Sequence, residues 1–329
     1  MTPSPLLSVR NLRTVFGTAQ GEVTAVDDVS FDVAPGEVLG IVGESGSGKS
    51  VTALSILGLL PQPPGRVAAG EILFEGRDLL KIPRSELRKL RGSAIGMIFQ
   101  EPLTSLNPVF TNGDQITETI RVHERIGAAA ARARGIEMLA KVGIPSPDRR
   151  IDDYPHQLSG GMRQRVMIAM ALSCSPKLLL ADEPTTALDV TIQAQILDLL
   201  RDLRREFGMA IVIITHNMGV IAEFADRVAV MYAGRIAEIG PVRDVIKAAK
   251  HPYTEGLMAS IPKVGRTDAR LAQIDGAMPR LNAIPRGCAF NPRCARVFER
   301  CRQDRPEPMP VGASLVACWL YDGSKGSAP

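Results

Sequence analysis

Residues 43 to 50 read Gly43-Glu44-Ser45-Gly46-Ser47-Gly48-Lys49-Ser50, and this octet constrains the fold more than any other stretch. Its spacing matches a phosphate-binding loop, which requires a buried strand before it and a helix after it. Both are legible. Val38-Leu39-Gly40-Ile41-Val42 is a short continuous apolar run, and Val51-Thr52-Ala53-Leu54-Ser55-Ile56-Leu57 has helical periodicity. Gly43, Gly46 and Gly48, with Ser45 and Ser47 between them, let successive backbone N–H groups converge on phosphate oxygens, and the following helix adds the positive end of its dipole. Lys49 places a cation against the β and γ oxygens, and the Ser50 hydroxyl is a ligand for Mg2+. On its own the loop implies phosphate binding and leaves the reaction open.

Two further apolar runs, Leu178-Leu179-Leu180-Ala181 and Ala210-Ile211-Val212-Ile213-Ile214, share the character of 38–42, and the three predict buried parallel strands of an α/β sheet. Each ends on reactive polar groups: the glycine-rich loop, Asp182-Glu183, and Thr215-His216. Open α/β sheets bind ligands at that edge. Asp182 is placed to hold Mg2+, directly or through water, and Glu183 to accept a proton from an attacking water. A helix cap is the competing reading of the acidic pair. Within Leu7 to Val33, short alternating segments such as Val23-Thr24-Ala25-Val26 and Val29-Ser30-Phe31-Asp32-Val33 predict an antiparallel β layer. From about residue 103 to 172 the pattern is helical and Ala-rich, a helical insertion. Beyond Gly240 prolines recur at 252, 262, 279, 285, 292, 306, 308 and 310, which argues against long helices. A boundary near Pro241 gives a domain over 1–240 and a smaller, loop-rich one over 241–329.

The chain has 329 residues, 45% of them hydrophobic, enough for a large core. Its 39 basic and 35 acidic residues leave a net charge of +4, without the basic runs that nucleic-acid tails show. The N-terminus has no signal-peptide pattern, and no apolar run approaches the roughly 18 to 20 residues that span a bilayer, so a cytosolic or peripheral location is expected. Of five cysteines, Cys174 stands alone in an apolar helix-like segment, while Cys288, Cys294, Cys301 and Cys318 cluster near the end. In a reducing compartment such a cluster more often binds a metal or cofactor than forms disulfides.

Leu158-Ser159-Gly160-Gly161-Met162-Arg163-Gln164-Arg165 precedes the helix-like stretch to Leu172, so the N–H groups at Ser159, Gly160 and Gly161 form a second anion cradle. With this segment between the glycine-rich loop and the acidic pair, the chain resembles the nucleotide-binding subunit of ATP-binding-cassette transporters. The resemblance covers essentially the whole chain and includes Gln100 after Met97-Ile98-Phe99, Ala187-Leu188-Asp189, and His216. It implies a P-loop NTPase fold with antiparallel β and helical subdomains, and ATP hydrolysis. It also implies two such subunits facing head to tail, each ATP lying between one P-loop and the other's signature segment 158–165. By the same resemblance Gln100 contacts Mg2+ or the attacking water and lies in the loop facing the membrane subunits. His216 is then the switch histidine on the γ-phosphate and Asp189 the dimer-contact aspartate. Phe16 occupies about the place of the adenine-stacking aromatic, worth about 1–3 kcal/mol if a base stacks on it. The alternative for Phe16 is a strand core aromatic.

His251-Pro252-Tyr253-Thr254, Leu257-Met258-Ala259-Ser260-Ile261-Pro262, and Gly287-Cys288-Ala289-Phe290-Asn291-Pro292-Arg293-Cys294 resemble the oligopeptide/dipeptide importer branch. That resemblance implies peptide import, a second ATPase subunit that is often a paralogue, two membrane permeases, an extracytoplasmic solute-binding protein acting indirectly, and a peripheral place on the cytoplasmic face of the inner membrane. Four thiolates suit an Fe–S cluster or a tetrahedral zinc. Relatives carry a four-iron cluster here, so a 4Fe–4S cluster on Cys288, Cys294, Cys301 and Cys318 is expected over zinc or free thiols. The competing class, a soluble cassette ATPase acting on nucleic acid or ribosomes, usually has tandem cassettes or a long coiled-coil insertion. Residues 50 to 158 show neither a sustained heptad pattern nor a strongly basic tract. A non-hydrolysing cassette is a third possibility, against which Glu183 and His216 argue. The transported solute is not encoded in these motifs.

Overall fold

The structure, a computed structural model, describes residues 4–186, 188–260 and 273–323. Ala187, and Ile261-Pro262 at the end of the 257–262 segment, lie outside the described residues. Strands β1 (Leu7–Thr18), β2 (Gly21–Val33) and β3 (Val38–Val42) lead into helix α1 (Lys49–Leu57), and β4 (Gly65–Phe74), β5 (Arg77–Asp78), α2 (Arg84–Leu90) and β6 (Ile95–Ile98) follow. Helices α3 (Pro102–Ser105), α4 (Asn112–His123), α5 (Ala128–Lys141), α6 (Pro147–Arg150) and α7 (Gly160–Leu172) then run in succession. After them come β7 (Leu178–Asp182), α8 (Val190–Phe207), β8 (Ala210–Thr215), α9 (Met218–Phe224), β9 (Arg227–Tyr232) and β10 (Arg235–Pro241). The tail adds α10 (Val242–Lys247), α11 (Pro252–Ala259), α12 (Glu299–Gln303), β11 (Met309–Val311) and β12 (Ser314–Val316).

The chain divides into two compact units. The first comprises Met1–Leu6, Val33–Glu37 and Lys81–Ile214. Its parallel strands β6, β7 and β8 pair in register, Ile95 opposite Leu178 and Leu178 opposite Ala210. All five positions of β7 are buried, as are all six of β8, which is why these segments read as uninterrupted apolar runs. Helices α3 to α7 form the expected insertion. Thr111 and Asp114 start α4 with a reciprocal capping box, and Ile116 and Ile120 on α4 and Ala131, Met138 and Leu139 on α5 are buried. In α8 the buried positions are Ile196, Leu197, Leu200 and Leu203, a stripe at helical spacing.

The second unit comprises Leu7–Asp32, Val38–Leu80 and Thr215–Pro329. Here β3 pairs in parallel with β9, and β9 pairs antiparallel with β10. A separate four-stranded sheet has the order β2-β1-β4-β5, with β1 and β4 antiparallel. The antiparallel layer was expected, but as short strands. Instead β2 runs unbroken for 13 residues. It passes its Asp27-Asp28 interruption because Asp28 takes a left-handed φ of 59° and its carboxylate accepts from the Asn11 side chain at 2.7 Å. The Pro-rich tail also contributes strands that its composition did not announce: β12 pairs with β10, Glu238 opposite Val316, and β11 pairs with β12. Cys174 lies past the end of α7, not inside a helix. Among the described residues, no helix is long and apolar enough to cross a membrane.

Candidate nucleotide-binding site

The glycine-rich loop leaves the end of β3 and closes into α1, as its pattern requires. Two of its glycines have no substitute. Gly43 has a φ of 155°, and a Cβ there would lie 2.2 Å from the Met231 carbonyl oxygen; Gly48 has a φ of 102°, and a Cβ would lie 2.7 Å from the Ala25 carbonyl oxygen. Only Gly combines that backbone with that approach. Lys49 is buried, and its Nζ donates to the carbonyl oxygens of Gly43 at 2.8 Å and Glu44 at 2.9 Å. Ser47 is fully buried and its Oγ has no hydrogen-bond partner. An orphaned hydroxyl in a glycine-rich loop, two residues before a buried lysine, fits a phosphate oxygen as its missing partner. Ser45 and Gly46 are exposed, and Ser50 is half-buried in the first turn of α1.

In the other unit, Asp182 ends β7 and is buried, and Glu183 follows it with a left-handed φ of 48°. A non-glycine residue in that region costs on the order of 1 kcal/mol or more and persists only where its surroundings enforce it. Here the Glu183 N–H donates to the Ile214 carbonyl oxygen at 2.8 Å. One carboxylate oxygen accepts from the Thr186 hydroxyl at 2.7 Å and from the Gln100 amide at 3.3 Å. Gln100 and Glu183, both singled out from sequence, are therefore brought together. Gln164 was not singled out. Its buried amide donates to the Pro184 carbonyl oxygen at 2.6 Å, tying α7 to the segment that carries the acidic pair. A polar residue on the otherwise apolar face of a helix was the signal for it.

Ser159 is the N-cap of α7, its hydroxyl accepting from the Met162 N–H at 3.3 Å. Ser159 and Gly160 are exposed and Gly161 is half-buried, so this helix start is open to solvent. Asp189 caps α8 by accepting from the Ile192 N–H at 2.9 Å. In the second unit, His216 is exposed just past β8. Phe16 is half-buried on β1 opposite Gly65, where a Cβ would lie 2.8 Å from the ring. One face of Phe16 is thus packed.

The importer-branch segments converge behind the loop. His251 is buried and caps α11, its Nδ1 accepting from the Tyr253 N–H at 3.0 Å. The buried Glu238 carboxylate accepts from the N–H groups of Lys250 and His251. Tyr253 is fully buried against Tyr232 and Phe290, at ring-centroid distances of 4.6 and 5.4 Å. Its hydroxyl accepts from the Glu44 N–H at 3.0 Å. Burial pushes the Tyr253 phenol well above its ordinary pKa.

None of the five cysteines is in a disulfide. Cys288, Cys294, Cys301 and Cys318 line one small cavity with Phe290, Trp319 and Leu320. Burial first, then the neighbouring thiols, pushes Cys288 up to about 11 and Cys318 up to about 12, and burial raises Cys294 as well. Thiolates there need a compensating cation. Among the described residues, however, no group of three or more His, Cys, Asp or Glu side chains is arranged to hold a single metal ion.

Comparison with known proteins accounts for this arrangement. The ABC transporter family profile matches residues 26–186, and the profile for the C-terminal region of oligopeptide/dipeptide transporters matches residues 237–301. The dipeptide transport ATP-binding protein DppD of Bacillus subtilis is 50% identical over 318 residues, covering 96% of this chain and 95% of its own length. The oligopeptide transport ATP-binding protein AppD of the same organism is 48% identical over 320 residues, covering 97% and 98%. Among solved structures, the dimeric ATP-binding cassette MJ0796 bound to ADP and phosphate superposes with a TM-score of 0.65 at 29% identity, over 72% of this chain and 99% of that one. With its P-loop, acidic pair and 158–165 segment built as described, the chain belongs to the ATP-hydrolysing, nucleotide-binding subunits of ABC transporters, in the oligopeptide/dipeptide branch.

Proposed function

We propose that this subunit energises the import of di- or oligopeptides, or related solutes, by a membrane transporter whose permeases are separate chains. The observation that carries this reading is one chain that joins the P-loop and acidic pair to the 237–301 region shared with oligopeptide/dipeptide transporters. In this reading residues 1–240 are the cassette and 241–329 the importer-type C-terminal domain.

Lys49 and the N–H groups of residues 45–50 bind the β and γ phosphates of ATP, and Lys49 exchanges its bonds to the Gly43 and Glu44 carbonyls for phosphate oxygens. By the family resemblance, Ser50, Asp182 and Gln100 would hold Mg2+, which would neutralise charge on the phosphates. Glu183 accepts the proton of the attacking water, with its carboxylate oriented by Thr186 and Gln100. His216 contacts the γ-phosphate and Phe16 stacks on adenine. Ser159, Gly160 and Gly161 act on the nucleotide of a second subunit, a paralogue or a copy of this chain, in a head-to-tail pair to which Asp189 also contributes. The solvent-open start of α7 and the dimeric state of the solved cassette relative support that pairing.

The large apolar side chains of Phe99, next to Gln100 in the chain, and of Val109 and Phe110, at the start of the helical insertion, are exposed, which supports docking of the two permeases on this part of the chain. The subunit then lies peripherally on the cytoplasmic face of the inner membrane and meets the solute-binding protein only through the permeases, with no nucleic acid involved. Chain composition and the absence of any basic tract give no support to the soluble nucleic-acid or ribosome reading.

The shared cavity of Cys288, Cys294, Cys301 and Cys318 supports a 4Fe–4S cluster. Four cysteines around one cavity suit either four-thiolate set, and the wide spacing of the four along the chain favours the cluster over zinc. Such a cluster would supply positive charge to a cavity lined by two buried cysteines, Cys301 and Cys318, and two half-buried ones, Cys288 and Cys294, and would cross-link a tail with little core of its own.

The test is transport. Reconstituted in proteoliposomes with its permeases, partner ATPase and solute-binding protein, the subunit should show peptide-stimulated ATP hydrolysis coupled to uptake, both lost in Lys49→Ala. Hydrolysis that no peptide stimulates, in an otherwise assembled complex, would refute the peptide assignment.

A further inference from the structure

Glu44 puts a carboxylate into a loop that has to receive a triphosphate. An anion at that place opposes binding unless it is neutralised and held. Its partner comes from the cysteine-rich tail. Arg293 stands between Cys288 and Cys294 in sequence, its side chain only 7% exposed. Its Nη1 donates to both Glu44 carboxylate oxygens, at 2.9 and 3.1 Å. Every other face of the guanidinium is also engaged. Nε donates to the Asp275 carbonyl oxygen at 2.9 Å, Nη2 to that of Ile274 at 3.3 Å, and Nη1 to the Tyr232 hydroxyl at 3.4 Å. The rings of Tyr232 and Phe290 lie within 5.9 and 6.0 Å. A planar group whose three nitrogens all donate in this way holds one orientation.

Glu44 is held at its backbone too. Its N–H donates to Tyr253 and its carbonyl oxygen accepts from Lys49. One residue therefore joins the tail to the lysine that meets the phosphates. The same tail touches the loop again at Gly46, where a Cβ would lie 3.1 Å from the Met278 methyl.

We propose that Arg293 is a positioning residue for ATP binding: it neutralises Glu44 and fixes the loop around Lys49, so that the C-terminal module sets the affinity for nucleotide. This rests on the reading of residues 43–50 as the phosphate cradle. It is independent of what the four cysteines hold.

The experiment is ATPase kinetics and equilibrium ATP binding with the full-length chain, its cysteine module intact. Arg293→Ala should raise the ATP KM and Kd about ten-fold, the scale of one uncompensated charge beside an anionic ligand, while kcat at saturating ATP stays within about two-fold. Adding Glu44→Gln should return KM to within about three-fold of the parent, because the unpaired anion is gone. Arg293→Lys, which keeps the charge and loses the fork, should fall between. Thermal melting of each variant checks the fold, and should Arg293→Ala fail it, Arg293→Lys with and without Glu44→Gln carries the comparison. An unchanged KM in folded Arg293→Ala, or a double variant no better than the single, overturns the proposal. Lys49→Ala is the separating control: if it binds ATP normally, the cradle reading itself fails; if it loses ATP while Arg293→Ala does not, only the positioning role fails.

Discussion

Glu183 combines a left-handed backbone with a carboxylate held by Thr186 and Gln100. That geometry orients an acceptor without contributing to nucleotide affinity, so binding and turnover should separate. Glu183→Gln is expected to keep ATP affinity within a few-fold while lowering turnover by about 10² or more. Pre-steady-state phosphate release and equilibrium ATP binding measure the two, and the ATP-bound variant should accumulate as closed dimers on size-exclusion chromatography. Undiminished hydrolysis would remove Glu183 from the role of base. At this scale much was legible. The loop and the acidic pair sit at the ends of expected strands and the α7 start at the head of an expected helix, because the chemistry fixes both residue type and spacing, whereas Gln100 came from the family resemblance alone. Arg293, Tyr253 and Gln164 act by contacts far away in sequence, and no local pattern carries that information. Tyr253 illustrates the difference: His251-Pro252-Tyr253-Thr254 served only as a family marker, whereas its tyrosine in fact braces the loop.

Among elements, the strands that read cleanly were those buried on both faces, β3, β7 and β8. Strands β1 and β2 run longer than the sequence suggests because polar residues interrupt the alternation and are absorbed by left-handed residues, Asn11 in β1 and Asp28 in β2. Asp27, on the same strand, shows what such residues do. Burial alone would push its carboxyl up, but the guanidiniums of Arg235, Arg305 and Arg13 hold it below the usual carboxylate range. Arg235 and Arg305 reach it at 2.9 and 3.0 Å, so one carboxylate links β2, β10 and the tail. A carboxyl with a depressed native pKa stabilises the fold above its unfolded value near 3.9, and that contribution is lost as pH falls through and below it. Asp27→Asn should therefore lower stability at neutral pH by about 1–3 kcal/mol, by leaving partly buried guanidiniums unpaired, and should lessen the further loss below about pH 4. Denaturant melts at pH 7 and pH 3.5 measure both. For the cysteine-lined cavity, anaerobic purification should yield about four iron and four sulfide per chain. Stoichiometric zinc without iron would sink the cluster assignment.

For the whole molecule, family and reaction were legible from ordered motifs alone. The β hairpin of the Pro-rich tail was not, because two three-residue strands carry too little pattern to stand out. Nor was the tail's role behind the phosphate loop, since a contact of that kind is written in no single segment. The Glu44–Arg293 pair joins positions 249 apart. During synthesis the loop emerges first, and at roughly 5 to 20 residues per second its brace follows roughly 10 to 50 s later. Throughout that interval the nascent chain owns a complete phosphate motif whose glutamate has no cation, and until Tyr253 emerges the glutamate's N–H lacks its tyrosine as well. A transcript cut short between codons 253 and 293 would encode a protein that every motif search accepts as an ATPase, yet whose loop had been left unfinished.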